Sequence, residues 1–499
     1  MSVATESTET FASLNPATGE VVAEHPVQDG AAVAAAIERA REAAEWWRAL
    51  GWKERRLRLL NVKGSLARNL NRMAELIHQE TGKPVQDAQL ETIMAITHLD
   101  WAARNAQKVL GARSVYPGLM AVNHKCVLEY HPLGVVGVIG PWNYPIFTPM
   151  GSIGYALAAG NAVVFKPSEF TPGVGVLLAE LFAAVVPEHP VLQTITGFGE
   201  TGAALASSPH IDKIAFTGST RTAKRVMAAC AQNLTPIVAE CGGKDACIVD
   251  SDADLDAAAD AALWGAMSNA GQTCIGVERI YVVDDAYDKF LGKLTEKAKD
   301  LRPGFDREAA YGPITMPSQL DIIERHIKDA LAKGGTAVVG GAESVRKPYV
   351  EPVVLTDVPD DSSAVCEETF GPTITVHRVK DLDEAVERTN KTGYGLAGTI
   401  FSRDKSRALD VARRMRSGMT SINAFAAFAQ VAALPFGGVG ESGFGRIHGA
   451  DGLREFTRPK AITRQRFATM NLTTFARTEK EMARVLGLIN MLHGRRYKR

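Results

Sequence analysis

Neither sign of charge is in excess: Lys plus Arg and Asp plus Glu each number 56, so no polyanion-binding surface is offered and nucleic acid is not expected as a partner. The six cysteines, at 126, 230, 241, 247, 274 and 366, fall in no Cys-x-x-Cys pair. That scatter gives no zinc signature and no metal is expected; a chain of 499 residues also needs no disulfide stapling. Reduced thiols in the cytoplasm are the expectation. No uninterrupted apolar run reaches the ~20 residues that span a bilayer. The start, Met1-Ser2-Val3-Ala4-Thr5-Glu6, lacks the basic and apolar regions of a signal peptide. Internal repeats and low-complexity segments are missing too, which leaves an ordinary globular chain.

What is present fits that class. Hydrophobic residues make up 46% and charged residues 22%, and the length implies two or three cores. Asp29 stands ahead of Val33, Ala36, Ile37, Ala40 and Ala44, an N-cap before a helical period. Similar spacing covers Leu57 to Ile77 and Leu90 to Val109, interrupted at Thr81-Gly82-Lys83-Pro84, where glycine and proline end a helix. From residue 134 short apolar runs alternate with loops and alanine-rich helices: Val135 to Ile139, Ala162 to Phe165, Leu192 to Ile195 and Lys213 to Phe216. This alternation predicts an α/β fold, a parallel sheet with helices on its faces and ligands beyond the carboxyl ends of the strands. A second series starts at Ala246 to Val249 and runs past Cys274 to a strand from Arg279 to Val283.

The loops after these strands hold the candidate chemistry. Cys274 ends Gly271-Gln272-Thr273-Cys274 and is either a nucleophile or a packed small hydrophobe. Asn143, fixed between Pro141 and Pro145, is an amide donor for an oxyanion or a loop residue bonding its own backbone. Lys166 and Glu169 follow a strand and could hold ribose hydroxyls, or form a surface ion pair. Gly218 and Ser219 open a helix whose N-terminus suits a pyrophosphate. Gly197 to Gly202 is a literal G-x-G-x-x-G, yet the acid expected about 20 residues on is replaced by the Thr217 to Thr220 loop. Glu240 precedes two glycines at the join of the two series and is a general base or a turn cap. Glu368 and Phe370, two apart in an extended segment, face one side.

Pro-Trp-Asn-Tyr-Pro at 141, Lys-Pro-Ser-Glu at 166, Phe-Thr-Gly-Ser at 216, Glu-x-Gly-Gly-Lys at 240, Gly-Gln-x-Cys at 271, Glu-x-Phe-Gly-Pro at 368 and Pro-Phe-Gly-Gly at 435 stand in the order found in the aldehyde dehydrogenase superfamily, which the chain resembles over residues 14–466. The resemblance implies a Rossmann-type cofactor domain (1–109 and 131–241), an α/β catalytic domain (242–445), a small β bridging arm (110–130 and 446–470) and a basic tail (471–499). It implies a homodimer or homotetramer. By the same resemblance Cys274 is the nucleophile, Asn143 and the Cys274 N–H hold the oxyanion, and Glu240 activates the water that hydrolyses the thioester. Trp142, Lys166, Glu169, Gly218, Ser219, Glu368 and Phe370 take the cofactor. No histidine is near Cys274 in sequence, so the bound nicotinamide cation and backbone donors are expected to lower its pKa. Glu169 argues for NAD, although relatives with this acid also use NADP.

Two departures bear on the substrate. Some subfamilies carry a basic residue near Gly151 and Ser152 and an acid after the Gly-Arg at 445; here Ile447 and His448 follow, and Arg446-Ile447-His448-Gly449 is more similar to class 3 aldehyde dehydrogenases. Without a cation between Tyr144 and Ala159 a carboxylate-bearing substrate has no anchor there. Phe147, Trp264, Phe425 and Phe428 suggest an apolar entrance, so the expected partner is a neutral aliphatic or aromatic aldehyde. Succinate semialdehyde oxidation, acyl transfer to CoA, and a non-catalytic role on this scaffold are the competing readings. The tail, with Met482, Val485, Leu486 and Ile489 at helical spacing before Arg495 to Arg499, is a helix packed on the body or, less favoured, a peripheral membrane contact.

Overall fold

The computed structural model describes residues 9–468 and 473–494. Met1 to Glu6 and the basic end Arg495 to Arg499 lie outside the described residues. The chain divides into two compact units, one of residues up to 109 plus 132–458, the other of 110–131 plus the chain from 459 onward.

The larger unit begins with helices. Asp29 caps the helix Gly30–Ala49 by accepting from Ala32 N at 2.8 Å, and Val33, Ala36, Ile37, Ala40, Ala44 and Trp47 form its buried stripe. The next helical stretch is two helices, Gly51–Arg68 and Leu70–Thr81, because the chain leaves helical geometry at Asn69, whose side-chain amide donates back to Ser65 O at 2.9 Å. Gly82, left-handed at φ +75, ends the second, and the long helix Val85–Leu110 follows.

Two sheets carry the rest. The first runs Gly443–Phe444, Ile237–Glu240, Lys213–Thr217, Val135–Ile139, Ala162–Lys166, Leu192–Thr194, parallel except for the Gly443–Phe444 edge. The second runs Thr336–Val339, Val353–Thr356, Thr373–Val379, Val277–Val283, Asp245–Val249, Gly398–Phe401, Ser421–Ile422, antiparallel only at its first pair. Their central strands are buried on both faces, which is why they read as unbroken apolar runs instead of alternating ones. The architecture is the expected α/β one, two largely parallel sheets with helices on their faces.

The smaller unit carries a three-stranded sheet ordered Thr457–Gln465, His124–Pro132, Arg113–Val115, and the helix Glu479–His493, opened by a Thr478–Glu481 capping box. Residues 446–458, expected in the arm, stay in the larger unit: Phe436 and Ile447 exchange backbone hydrogen bonds, and the helix Gly449–Glu455 packs on the helix Phe147–Ala159. No described helix is long and apolar enough to cross a membrane.

Candidate active site

Cys274 sits at the end of an irregular turn between the helix Leu255–Met267 and the strand Val277–Val283. Asn269, Ala270 and Gly271 are all left-handed, with φ of +52, +55 and +70. Two non-glycine residues in that region are strained, a cost that structures bear mostly at functional sites. Glycine at 271 is obligatory on a second count, since a Cβ there would stand 2.1 Å from the Gly371 carbonyl oxygen. Gln272 fixes the turn from inside: it donates to Asn269 O at 2.8 Å and to Pro313 O at 3.2 Å and accepts from Thr315 N at 2.8 Å.

The loop after strand Val135–Ile139 meets this turn. Asn143 is buried, and its side-chain amide donates to Gln272 O at 2.9 Å, two residues before the thiol. Its carbonyl accepts from Asn269 Nδ2 at 3.1 Å and Lys83 Nζ at 2.7 Å. Lys83 also donates to Glu91 at 2.7 Å and lies 4.1 Å from the Tyr144 ring centroid; Glu91 in turn accepts from Ile146 N and Phe147 N. The fully buried Lys83–Glu91 pair therefore holds both ends of the Asn143 loop. Lys83→Met leaves the Glu91 charge buried without its partner and is expected to cost about 3–5 kcal/mol in urea denaturation, with Lys83→Met/Glu91→Leu recovering part of it. Neither residue is marked by its sequence neighbourhood: Lys83 stands in a helix break, Glu91 in an ordinary helix.

Carboxylates crowd the thiol. Burial first, then Glu368, Asp245 and Glu240, push the Cys274 pKa well up, opposed by a hydrogen bond with the Ile275 backbone. Glu240 is 3% exposed at the end of strand Ile237–Glu240, and neither of its carboxylate oxygens accepts a hydrogen bond from the protein. Burial holds its carboxyl well above the ordinary range; Arg446 pulls it down and Glu455 adds to the rise. Cys241 beside it is also buried, its thiol pushed up to about 12.

The other predicted residues stand along the strand ends of the same unit. Glu368 accepts from Gly243 N at 2.9 Å, and a Cβ at Gly242 would fall within 2.3 Å of its carboxylate atoms, so the glycine pair is what lets this acid lie over the loop. Burial lifts its pKa to about 8. Phe370, left-handed at φ +52, stacks edge-on against Trp142 with centroids 5.5 Å apart. That loop is tied down by Glu278, which accepts from Thr369 N and Phe370 N and pairs with the buried Lys244. Lys166 is buried and donates to Pro167 O at 2.8 Å, with Glu169 as its charged neighbour; an ammonium with one carbonyl acceptor keeps donor capacity for a ribose hydroxyl. Gly218 N donates to Glu240 O at 3.1 Å, linking that loop to the acid, and Ser219 caps the helix Thr220–Ala231. Gly197 to Gly202 instead serves the turn into the helix Gly199–Ser207, where Thr201 Oγ1 donates to Gln28 O at 2.7 Å.

Cys274 opens on a cavity of about 90 Å³ whose apolar wall includes Leu90, Met94, Phe147, Trp264 and Ile275. Phe147 and Trp264 are where the sequence places them. Phe425 and Phe428 do not line it: Phe428 packs against Phe436, and Phe425 stacks edge-on against Trp264 at 5.6 Å between ring centroids. The charged lining is Lys83, Asp87 and Glu91, with the lysine already paired. Among the described residues no cluster of three or more His, Cys, Asp or Glu could hold a metal.

Two largely parallel α/β sheets whose loops bring together a thiol, a side-chain amide and a buried carboxylate define an α/β protein with a candidate cysteine nucleophile. The sequence profile of the Aldehyde dehydrogenase family matches residues 3–462, and the chain belongs to that family. It is 38% identical to the 4,4'-diapolycopene aldehyde oxidase of Methylomonas sp over 90% of this chain and 85% of that one. It is 37% identical to the glutarate-semialdehyde dehydrogenase of Pseudomonas aeruginosa, covering 90% and 92%. Among solved structures, an aldehyde dehydrogenase of Brucella melitensis biovar abortus superposes with a TM-score of 0.89 at 32% identity, covering 93% and 96%. An NADP-dependent enzyme of Escherichia coli gives 0.88 at 33%, covering 92% and 95%.

Proposed function

We propose that this aldehyde dehydrogenase oxidises a neutral aliphatic or aromatic aldehyde to the carboxylic acid, with NAD preferred. The observation that carries the substrate reading is the wall of the cavity at Cys274: among the described residues its charged groups are Asp87, Glu91 and one ammonium, Lys83, which is spent on Glu91 and the Asn143 carbonyl, and the rest of the wall is apolar or neutral. A semialdehyde's carboxylate would meet Asp87 there with no free cation to receive it.

Cys274 Sγ, as the thiolate once its proton has left through water to solvent, attacks the aldehyde carbon, and the oxyanion that develops takes hydrogen bonds from the Cys274 N–H and from the second N–H of the Asn143 amide, whose first is held by Gln272 O. Bound NAD would supply the hydride acceptor that the thiohemiacetal on Cys274 needs to become a thioester. Glu240, with two oxygens free of protein donors, takes a proton from the water that attacks the thioester carbonyl, and the Cys274 sulfur leaves. This hydrolytic role argues against acyl transfer to CoA.

Lys166 and Glu169 would hold the adenosine ribose, Gly218 and Ser219 the pyrophosphate, and Glu368 the nicotinamide ribose, with Trp142 and Phe370 packing beside it. A carboxylate at 169 favours a free 2′-hydroxyl and repels a 2′-phosphate. The relatives named for NADP, such as the succinate-semialdehyde dehydrogenase of Escherichia coli at 35% identity, make this preference a point to measure. Glu169→Ser is expected to move the NAD:NADP ratio of kcat/KM toward NADP by about tenfold, one lost unfavourable charge contact being worth roughly 1.4 kcal/mol. An unchanged ratio would remove Glu169 from the argument. We also place the protein in the cytoplasm, on its free thiols, and as a homodimer or homotetramer, which light scattering would test.

The deciding experiment follows NADH formation with hexanal, benzaldehyde and succinate semialdehyde, with and without CoA. Turnover of the first two without CoA is expected, and a dominant kcat/KM for succinate semialdehyde would overturn the substrate reading.

A further inference from the structure

Two residues lining the aldehyde cavity have buried polar atoms that make no hydrogen bond with the protein: Ser268, at Oγ, and His448, at both ring nitrogens. His448 is the stronger case. It is 1% exposed, and its ring is enclosed by His98 at 3.9 Å, Phe436 at 5.3 Å and Phe147 and Tyr155 at 5.7 Å between centroids. Its backbone is held at φ +63, a conformation a non-glycine residue adopts only where the surroundings enforce it. The ring also occupies the space a side chain at 151 would need, since a Cβ on Gly151 would stand 2.5 Å from His448 Nε2.

Burial, then the neighbouring His98, holds this imidazole far below its ordinary pKa, so the ring is uncharged. His98 is held low as well, to about 4, and its Nε2 is already engaged with Ala429 O at 3.0 Å. A neutral imidazole offers one N–H donor and one acceptor nitrogen. A hydroxyl can serve either nitrogen, accepting from the N–H or donating to the bare nitrogen; an apolar substituent leaves both unpaired, and a carboxylate finds no cation among the described residues of the wall beyond the paired Lys83.

We propose that His448 is a specificity-determining residue, hydrogen-bonding a hydroxyl on the aldehyde's substituent, so that hydroxyl-bearing aldehydes are preferred over apolar ones of the same size. This rests on the reading of the cavity as the aldehyde site. The test compares 4-hydroxybenzaldehyde with 4-methylbenzaldehyde, and 6-hydroxyhexanal with heptanal, on wild type, His448→Phe and His448→Gln. His448→Phe is expected to lower kcat/KM for the hydroxylated member of at least one pair about tenfold, mostly through KM, with the methyl member within about twofold; His448→Gln keeps part of the preference. Comparing each ratio between enzymes cancels the electronic difference between the substituents. A hydroxyl-to-methyl ratio unchanged between wild type and His448→Phe overturns the proposal, as does an equal fall for both members, which would mark a packing role. Should His448→Phe fail to fold, calorimetry of 4-hydroxybenzyl and 4-methylbenzyl alcohol binding to wild type decides instead, equal affinity being the contrary result. Absence of turnover with every aldehyde would sink the aldehyde dehydrogenase reading itself. Turnover of the methyl members with no dependence on His448 would sink only this inference.

Discussion

Cys274→Ala is expected to abolish NADH formation with every aldehyde, a fall of at least about 10⁴-fold in kcat, while leaving NAD binding in place. The size follows from the cavity. No second thiol lines it, and the nearest in sequence, Cys247, is buried with its pKa pushed up to about 12. The substitution removes one sulfur from a half-buried position, so the fold should persist. Retained turnover in a variant that melts like wild type would remove the nucleophile from the account.

Glu240→Gln is expected to separate the two halves of the reaction. It keeps the shape and removes the proposed base, so the first turnover should still release NADH as a burst while steady-state turnover falls by about 10²- to 10⁴-fold. Because neither carboxylate oxygen is bound by the protein, no native hydrogen bond is lost. The pH dependence has a definite sign. Burial raises the Glu240 carboxyl well above the ordinary range, so the proton-accepting form grows in only as pH climbs through that raised value. Steady-state turnover of the wild type should therefore increase with pH, and the Glu240→Gln profile should lose that limb. A burst that disappears together with the steady state would instead place Glu240 in an earlier step.

The helix cap at Asp29, the break at Gly82 and the parallel strands were legible because each is a local pattern: a short polar side chain before a 3.6-residue period, a glycine that tolerates positive φ, an apolar run buried on both faces. The candidate residues were legible as motifs, and the fold brings Asn143, Glu240 and Glu368 from separate strand ends toward Cys274. What supports them was not. Lys83 is 60 residues from the Asn143 carbonyl that it binds, and Glu91 is 8 residues from Lys83, a pairing that no periodicity announces. The division at Asn69 depends on a side-chain hydrogen bond inside a strongly helical stretch, and Phe428 turns inward because Phe436 offers it a ring. His448 looked like a subfamily marker in the sequence; only the fold places its ring against Gly151 and the cavity.

The central claim is that the aldehyde becomes a thioester on Cys274 which Glu240 is needed to clear. Glu240→Gln enzyme mixed with NAD and hexanal, quenched in acid within the burst and digested for mass spectrometry, should show the Cys274 peptide carrying a hexanoyl group, absent when NAD is omitted. An unmodified Cys274 peptide, with NADH formed all the same, would contradict it.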